Sequence, residues 1–174
     1  MKQARFFLLA LLIASPASAQ TDHEQGSVAG VRTVYQFVRG FITAAAEQMP
    51  ENLYSYQPTE EVRSFGEIIG HLANAGYLFC APARGEQAPS VPNAEELTSK
   101  AEIVRALAAS FEYCDAAYQI DTMTAGEAIQ FFGQQHTKLS VLAFNMGHNY
   151  EHYGNLVTYL RLNGMVPPSS QGGM

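Results

Sequence analysis

The stretch Asn145-Met146-Gly147-His148-Asn149-Tyr150-Glu151-His152-Tyr153-Gly154-Asn155-Leu156 decides how this chain is read. It sits inside a longer segment, 137–162, in which Val141, Phe144, Leu156 and Tyr159 recur at helical spacing. Residues four apart share one face of a helix, one turn apart, so His148 and His152 reach toward the same point. A helix presents two nitrogen ligands to a single metal ion in this way. The pair alone also fits ordinary core or surface histidines.

A third histidine, His71, follows Ile68-Ile69-Gly70 and precedes Leu72-Ala73 in a second helical segment. Three imidazoles with open positions match a catalytic or substrate-binding metal site, whereas structural zinc sites close with four protein ligands. Without a metal, the same three would be hydrogen-bonded core residues. Asn145 and Asn155 flank the pair on the same stripe, either as outer partners of bound imidazoles or as polar residues facing a neighbouring loop. His136 lies twelve residues before His148, about 18 Å along a helix, and is a poor partner. His23 falls in a polar stretch, 20–26, that reads as a loose tail. No acid or base stands out beside the histidines. Glu151 points about 100° away on the helical wheel, and Tyr150 and Tyr153 are similarly offset, so catalytic residues are not assigned.

The rest of the chain supplies three more helices. Apolar positions Val28, Val31, Val34, Val38, Phe41, Ile42 and Ala45 mark a first helix over 27–49, stopped by Pro50. Segment 51–63 reads as a loop. Ser64-Phe65-Gly66-Glu67 has the form of a capping box and opens a second helix, expected to run to about Cys80 and end at Pro82 and Gly85. After a long loop over 81–98, Ser99-Lys100-Ala101-Glu102 opens a third, with Ile103, Leu107, Phe111, Cys114 and Tyr118 inward. Segment 121–135, interrupted by Gly126 and Gly133, reads as a connection with one short helix. Gly164 is placed to cap the last helix, and Pro167-Pro168 prevents its continuation. No segment alternates long enough for a strand, so an all-α four-helix bundle without a sheet is expected.

The long loop bears on topology. Its 18 residues span up to about 60 Å extended, whereas a 17-residue helix is about 26 Å long. The third helix can therefore run parallel to the second, giving an up-down-down-up bundle. That arrangement brings Cys80 and Cys114, near the C-termini of those helices, within disulfide range. Two buried free thiols are the alternative.

Lys2 and Arg5, the apolar run 6–14 and the small residues of Ser15-Pro16-Ala17-Ser18-Ala19 form an export signal, with cleavage after Ala19 and Gln20 as the mature N-terminus. The run is too short for a permanent span of about 20 residues. Residues 1–19 are thus a signal peptide and 20–174 one domain, bound for the periplasm or secretion. Loss of Lys2 and Arg5 takes the formal charge from −6 to −8, and no basic stripe remains. Nucleic acid and anionic membrane surfaces are therefore not expected partners. A small-molecule substrate or ligand is expected, and a homodimer is left open.

The histidine of the second helix in Gly70-His71-Leu72-Ala73-Asn74-Ala75, the His148-x-x-x-His152 of the last, the segment Gln57-Pro58-Thr59-Glu60-Glu61-Val62-Arg63-Ser64-Phe65-Gly66-Glu67 and the tail Tyr159-Leu160-Arg161-Leu162-Asn163-Gly164-Met165-Val166-Pro167-Pro168 together resemble the DinB-like superfamily. The resemblance covers nearly all of the mature chain. It implies a four-helix bundle holding a divalent transition metal, zinc or nickel, on His71, His148 and His152. Members with assigned reactions include thiol-dependent transferases and isomerases. The resulting expectation is an exported metal-dependent enzyme of hydrolase or thiol-transferase type, with a non-catalytic metal- or ligand-binding module as the alternative.

Overall fold

The computed structural model describes residues 17–172. Five helices follow in order: α1 (Ala17–Gln48), α2 (Phe65–Arg84), α3 (Lys100–Ala117), a single-turn α4 (Thr122–Ala125) and α5 (Lys138–Leu162). The expected signal peptide falls mainly on 1–16, outside the described residues. The helix expected from Ser27 begins at Ala17 instead. Gln20, Glu24 and Gln25 are good helix formers, and no proline interrupts the stretch. Among the described residues, no helix is long and apolar enough to cross a membrane.

The helix ends follow local chemistry. Ser64 and Glu67 form the full capping box of α2, and Ser99 caps α3 by accepting from the Glu102 amide. Pro82 does not end α2 as expected. A proline forfeits its own N–H bond, but its φ suits the helix, so the chain continues through one more turn. Gly85, at φ 74°, then closes the helix, with the amides of Gly85 and Glu86 reaching back to Pro82 and Ala81. Gly164, also at φ 74°, closes α5 in the same way.

α2 and α3 run parallel. Gly66 lies against Ile103 near their starts, and Gly76 against Ser110 and Cys114 near their ends. α1 opposes them, since Tyr35 meets Phe111 and Tyr118 while Met49 meets Lys100. α5 is antiparallel to α2: Asn145 faces Cys80, His148 faces His71 and Tyr159 reaches Arg63. The bundle is up-down-down-up. The Cys80–Cys114 disulfide closes the parallel pair, with Cα atoms 5.3 Å apart. The main core, including Ile42, Met49, Phe65, Ile69, Leu72, Leu107, Leu156 and Leu160, fills the space between the four long helices.

The expectation of no sheet is overturned. Residues Ala128–Phe131 (β1) and Gln134–Thr137 (β2) form an antiparallel hairpin, pairing Ala128 with Thr137 and Phe131 with Gln134. Its two-residue turn, Phe132-Gly133, has both φ positive, as a type I′ turn requires. Four-residue strands are too short to show period two, and Phe-Gly lacks the Asn-Gly signature of such turns. The buried arc of α5 is also wider than the expected stripe. Asn149 and Tyr153 are buried, while Phe144, expected inward, is exposed.

Candidate metal centre

α2 and α5 face each other where the three histidines lie. Nε2 of His148 stands 3.1 Å from Nε2 of His71 and 3.1 Å from Nε2 of His152. All three rings are half-buried, and their nearest ligand atoms lie within 4.8 Å of one another. His136 is on β2 against Phe131, outside the cluster. The side chain of His23 is outside the described residues.

His71 is held from behind. Its Nδ1 donates to Glu95 Oε1 at 3.0 Å, and the other oxygen of Glu95 accepts from Arg63 Nε at 2.9 Å. A carboxylate is an acceptor only, so the Nδ1 facing it carries the proton and Nε2 turns a lone pair to the cluster. Burial opposes ionisation of Glu95, but Arg63 and His71 outweigh it and hold its carboxyl below the ordinary carboxylate range. Sequence reasoning missed Glu95 because it lies in the long loop. There a 3-10 turn, Ala94–Glu96, starts at Asn93, whose side chain accepts from the Glu95 amide. An asparagine followed by two acids inside a Pro- and Gly-rich loop is the signal that marks such a turn.

That turn is seated on α2 by two neighbours of His71. Asn74 accepts from the Ala94 amide at 3.0 Å and donates to Asn93. Gly70 has no side chain to obstruct it, and a Cβ there would overlap the Ala94 carbonyl. The motif Gly70-His71-x-x-Asn74 therefore provides the imidazole and the seat for the carboxylate that orients it.

His148 and His152 are kept neutral. Burial pulls His148 down to about 4, helped by the neighbouring His152 and His71 and by Arg63. Burial and His71 likewise lower His152. Asn155 Nδ2 lies 3.4 Å from His152 Nδ1, so this asparagine does face a ligand candidate. Asn145 does not: it is buried and donates to the Tyr118 hydroxyl at 3.0 Å. Glu67 is spent on its cap. Nδ1 of His148 is buried without a hydrogen-bond partner, and its ring packs edge-on to Phe79.

This donor set suits a cation. One N–H on His148 cannot point well at two nitrogens on different helices, so without an ion one close N···N contact sets lone pair against lone pair. Two nitrogens bound to one zinc ion at about 2.0–2.1 Å each stand no more than about 4.2 Å apart, and the closest pairs satisfy that limit. The outer side is open. A cleft of about 590 Å³ adjoins His152, lined also by Val62, Arg63, Ile68, Asn155 and Tyr159.

The comparisons agree with this architecture. The model of the DinB superfamily matches residues 35–156. The uncharacterized protein YjoA of Bacillus subtilis is 26% identical over 126 residues, covering 71% of this chain and 82% of that one. The crystal structure of that DinB-like protein superposes with a TM-score of 0.67 at 22% identity, over 83% of this chain and 99% of the other. A DinB-like protein from Bacillus cereus gives 0.68 at 14% identity, over 83% and 96%. At these identities the two structures speak for the fold. This chain belongs to the DinB superfamily.

Proposed function

We propose that this protein is an exported metalloenzyme in which His71, His148 and His152 hold one divalent transition ion, zinc or nickel, and act on a small molecule entering from the cleft. The observation that carries the reading is the convergence of three Nε2 atoms, one of them oriented by the Arg63–Glu95 pair. Neutral imidazoles favour zinc, nickel, copper or iron over calcium and magnesium. When bound, such an ion lowers the pKa of a bound water or thiol and polarises a carbonyl. Three protein ligands leave room for that chemistry.

The chain's own residues prepare the site. Glu95 fixes the His71 tautomer, and burial keeps His148 and His152 unprotonated at neutral pH. Val62, Ile68 and Tyr159 make one wall of the cleft apolar, while Arg63 brings positive charge to its rim. Hydrolysis suits an exported chain better than thiol transfer, because the thiol cofactors used by family transferases are cytosolic.

Metal content of untagged protein recovered from the periplasm tests the reading. The expected result is a chain starting at Gln20 with one transition ion, and a His152→Ala variant that loses most of it while His136→Ala does not. Equal metal in wild type and His152→Ala would overturn the site.

A further inference from the structure

On the opposite side of the histidines from the cleft, α2, α5 and the hairpin turn bring together a cluster of aromatic rings. Phe79 of α2 packs edge-on to His148 at 5.1 Å between centroids. On its other sides it meets Phe144 at 5.2 Å and Phe132 at 6.2 Å, again near-perpendicular. Phe144 lies one turn before His148 on the same face of α5. Phe144 is 47% exposed and Phe132 67% exposed, although each touches a buried ring.

Phe132 is the more telling of the two. Among the described residues it is the sole non-glycine at positive φ, 48°. It occupies the first turn position of a type I′ hairpin, where Asn, Asp or Gly relieves that strain. Its ring touches Phe131 at 4.2 Å and Phe144 at 6.0 Å between centroids yet stays mostly in solvent, while Phe131 supplies the buried ring of the hairpin. A strained backbone that holds an aromatic side chain in solvent, beside a half-open cluster of histidines, is a feature of a ligand site.

We propose that Phe132 and Phe144, seated on Phe79, form an apolar subsite for an aromatic or branched aliphatic group of a small-molecule substrate whose polar group lies at the three imidazoles. The centroid steps from Phe79 to Phe144, Phe132 and His148 are 5.2, 6.2 and 5.1 Å, so Phe144 lies within about 10 Å of the His148 ring and Phe132 within about 11 Å. That is the reach of a phenyl group on a short linker. The inference rests on the metal reading for the position of the polar group, and on the phenylalanines alone for the apolar one.

Two hydroxamates separate these elements. Acetohydroxamate offers a metal-chelating group, and benzohydroxamate adds a phenyl ring to it. With zinc-loaded wild-type protein, calorimetry should show benzohydroxamate binding at least about tenfold tighter, in line with filling an apolar pocket. In the Phe132→Asn/Phe144→Ala double variant the two should bind within about twofold, with acetohydroxamate unchanged. Phe132→Asn alone restores the favoured turn residue, which offsets the ring contacts it removes, so its Tm should stay near that of wild type while the preference falls. Equal binding of both hydroxamates to wild type, or a preference that survives in the double variant, overturns the subsite.

Failure of both hydroxamates to bind would count against the metal reading, and the subsite is then decided without metal. Fluorine NMR of 4-fluorobenzamide should show line broadening with metal-stripped wild type that is lost in the double variant. The same spectrum with both proteins overturns the proposal.

Discussion

α2 meets α3 along one seam and α5 along another, and the two are built on opposite principles. The α3 seam is closed. Gly76 lets the helices approach so nearly that a Cβ there would overlap the Ser110 hydroxyl, and the Cys80–Cys114 disulfide joins them covalently. Cys80 and Cys114 are almost wholly buried. The α5 seam is open at its middle, where three half-buried imidazoles turn nitrogens toward each other with no protein donor shared among them all. Polar groups in a core are ordinarily closed by protein partners, as the Tyr118 hydroxyl is by accepting from Asn145 and donating to the Leu142 carbonyl. Convergence of acceptors without a donor is what separates a ligand site from a polar core.

The largest effect expected from breaking the closed seam is on stability. The disulfide spans 34 residues, and in the chain-entropy treatment its loss through Cys80→Ala/Cys114→Ala removes about 3–4 kcal/mol. Denaturant unfolding of metal-free protein measures it. Metal affinity of the folded variant should stay within a few-fold of wild type, because neither cysteine touches the histidines. A variant that keeps its stability but loses its metal would show that the seams are not independent.

Next comes the carboxylate behind His71. Glu95→Gln keeps the size and one acceptor but removes the charge that polarises His71, and outer partners of this kind are worth about 10–100-fold in metal affinity. Competition with a chelator of known affinity gives the number. Stability of the metal-free protein should change little, since Arg63 is exposed and Glu95 partly so. An unchanged metal affinity would reduce Glu95 to a loop anchor.

How much of this was legible follows from the range of each interaction. His148 and His152 are one turn apart, so spacing alone places them together, and the long loop permits the parallel α3 that brings Cys80 to Cys114. Capping at Ser64 and closure at Gly164 are equally local. Glu95 was not legible because its role depends on a loop folding back onto α2, which Gly70 permits through an absent side chain. The hairpin escaped because its strands show too few residues for a period, and its turn carries Phe132 where a turn former belongs. Both failures fall beside the candidate site, where local preference gives way to the needs of a ligand.

Acid should separate the seams by a smaller amount. His148 and His152 have their folded pKa values lowered, mainly by burial, that of His148 to about 4 against 6.5 when unfolded. Between those values the unfolded chain binds more protons. Stability of metal-free protein is therefore full above about pH 7 and falls as pH drops from about 6.5 toward 4. The drop in Tm by pH 4 should be several degrees, at about 2–4 °C per kcal/mol for a chain of this size. Burial pushes the Tyr35 and Tyr118 hydroxyls further up, so they stay neutral throughout. Metal should leave over the same interval, because protons compete for the same nitrogens. A mutant lacking both α5 histidines should lose the pH dependence. Its persistence would place the titration elsewhere.

The smallest effect is predicted at Asn155. Its amide lies 3.4 Å from His152 Nδ1, at the long end of hydrogen bonding, and the residue is exposed on the cleft wall. Water can take its place at little cost, unlike Glu95, which bonds His71 through one oxygen and pairs with Arg63 through the other. Asn155→Ala should therefore change metal affinity by less than about threefold and leave folding stability within about 0.5 kcal/mol, the range of an ordinary surface substitution. The chelator competition used for Glu95→Gln reads both variants on one scale. A loss at Asn155 as large as that at Glu95 would mean that His152, rather than His71, is the imidazole whose orientation governs the open seam.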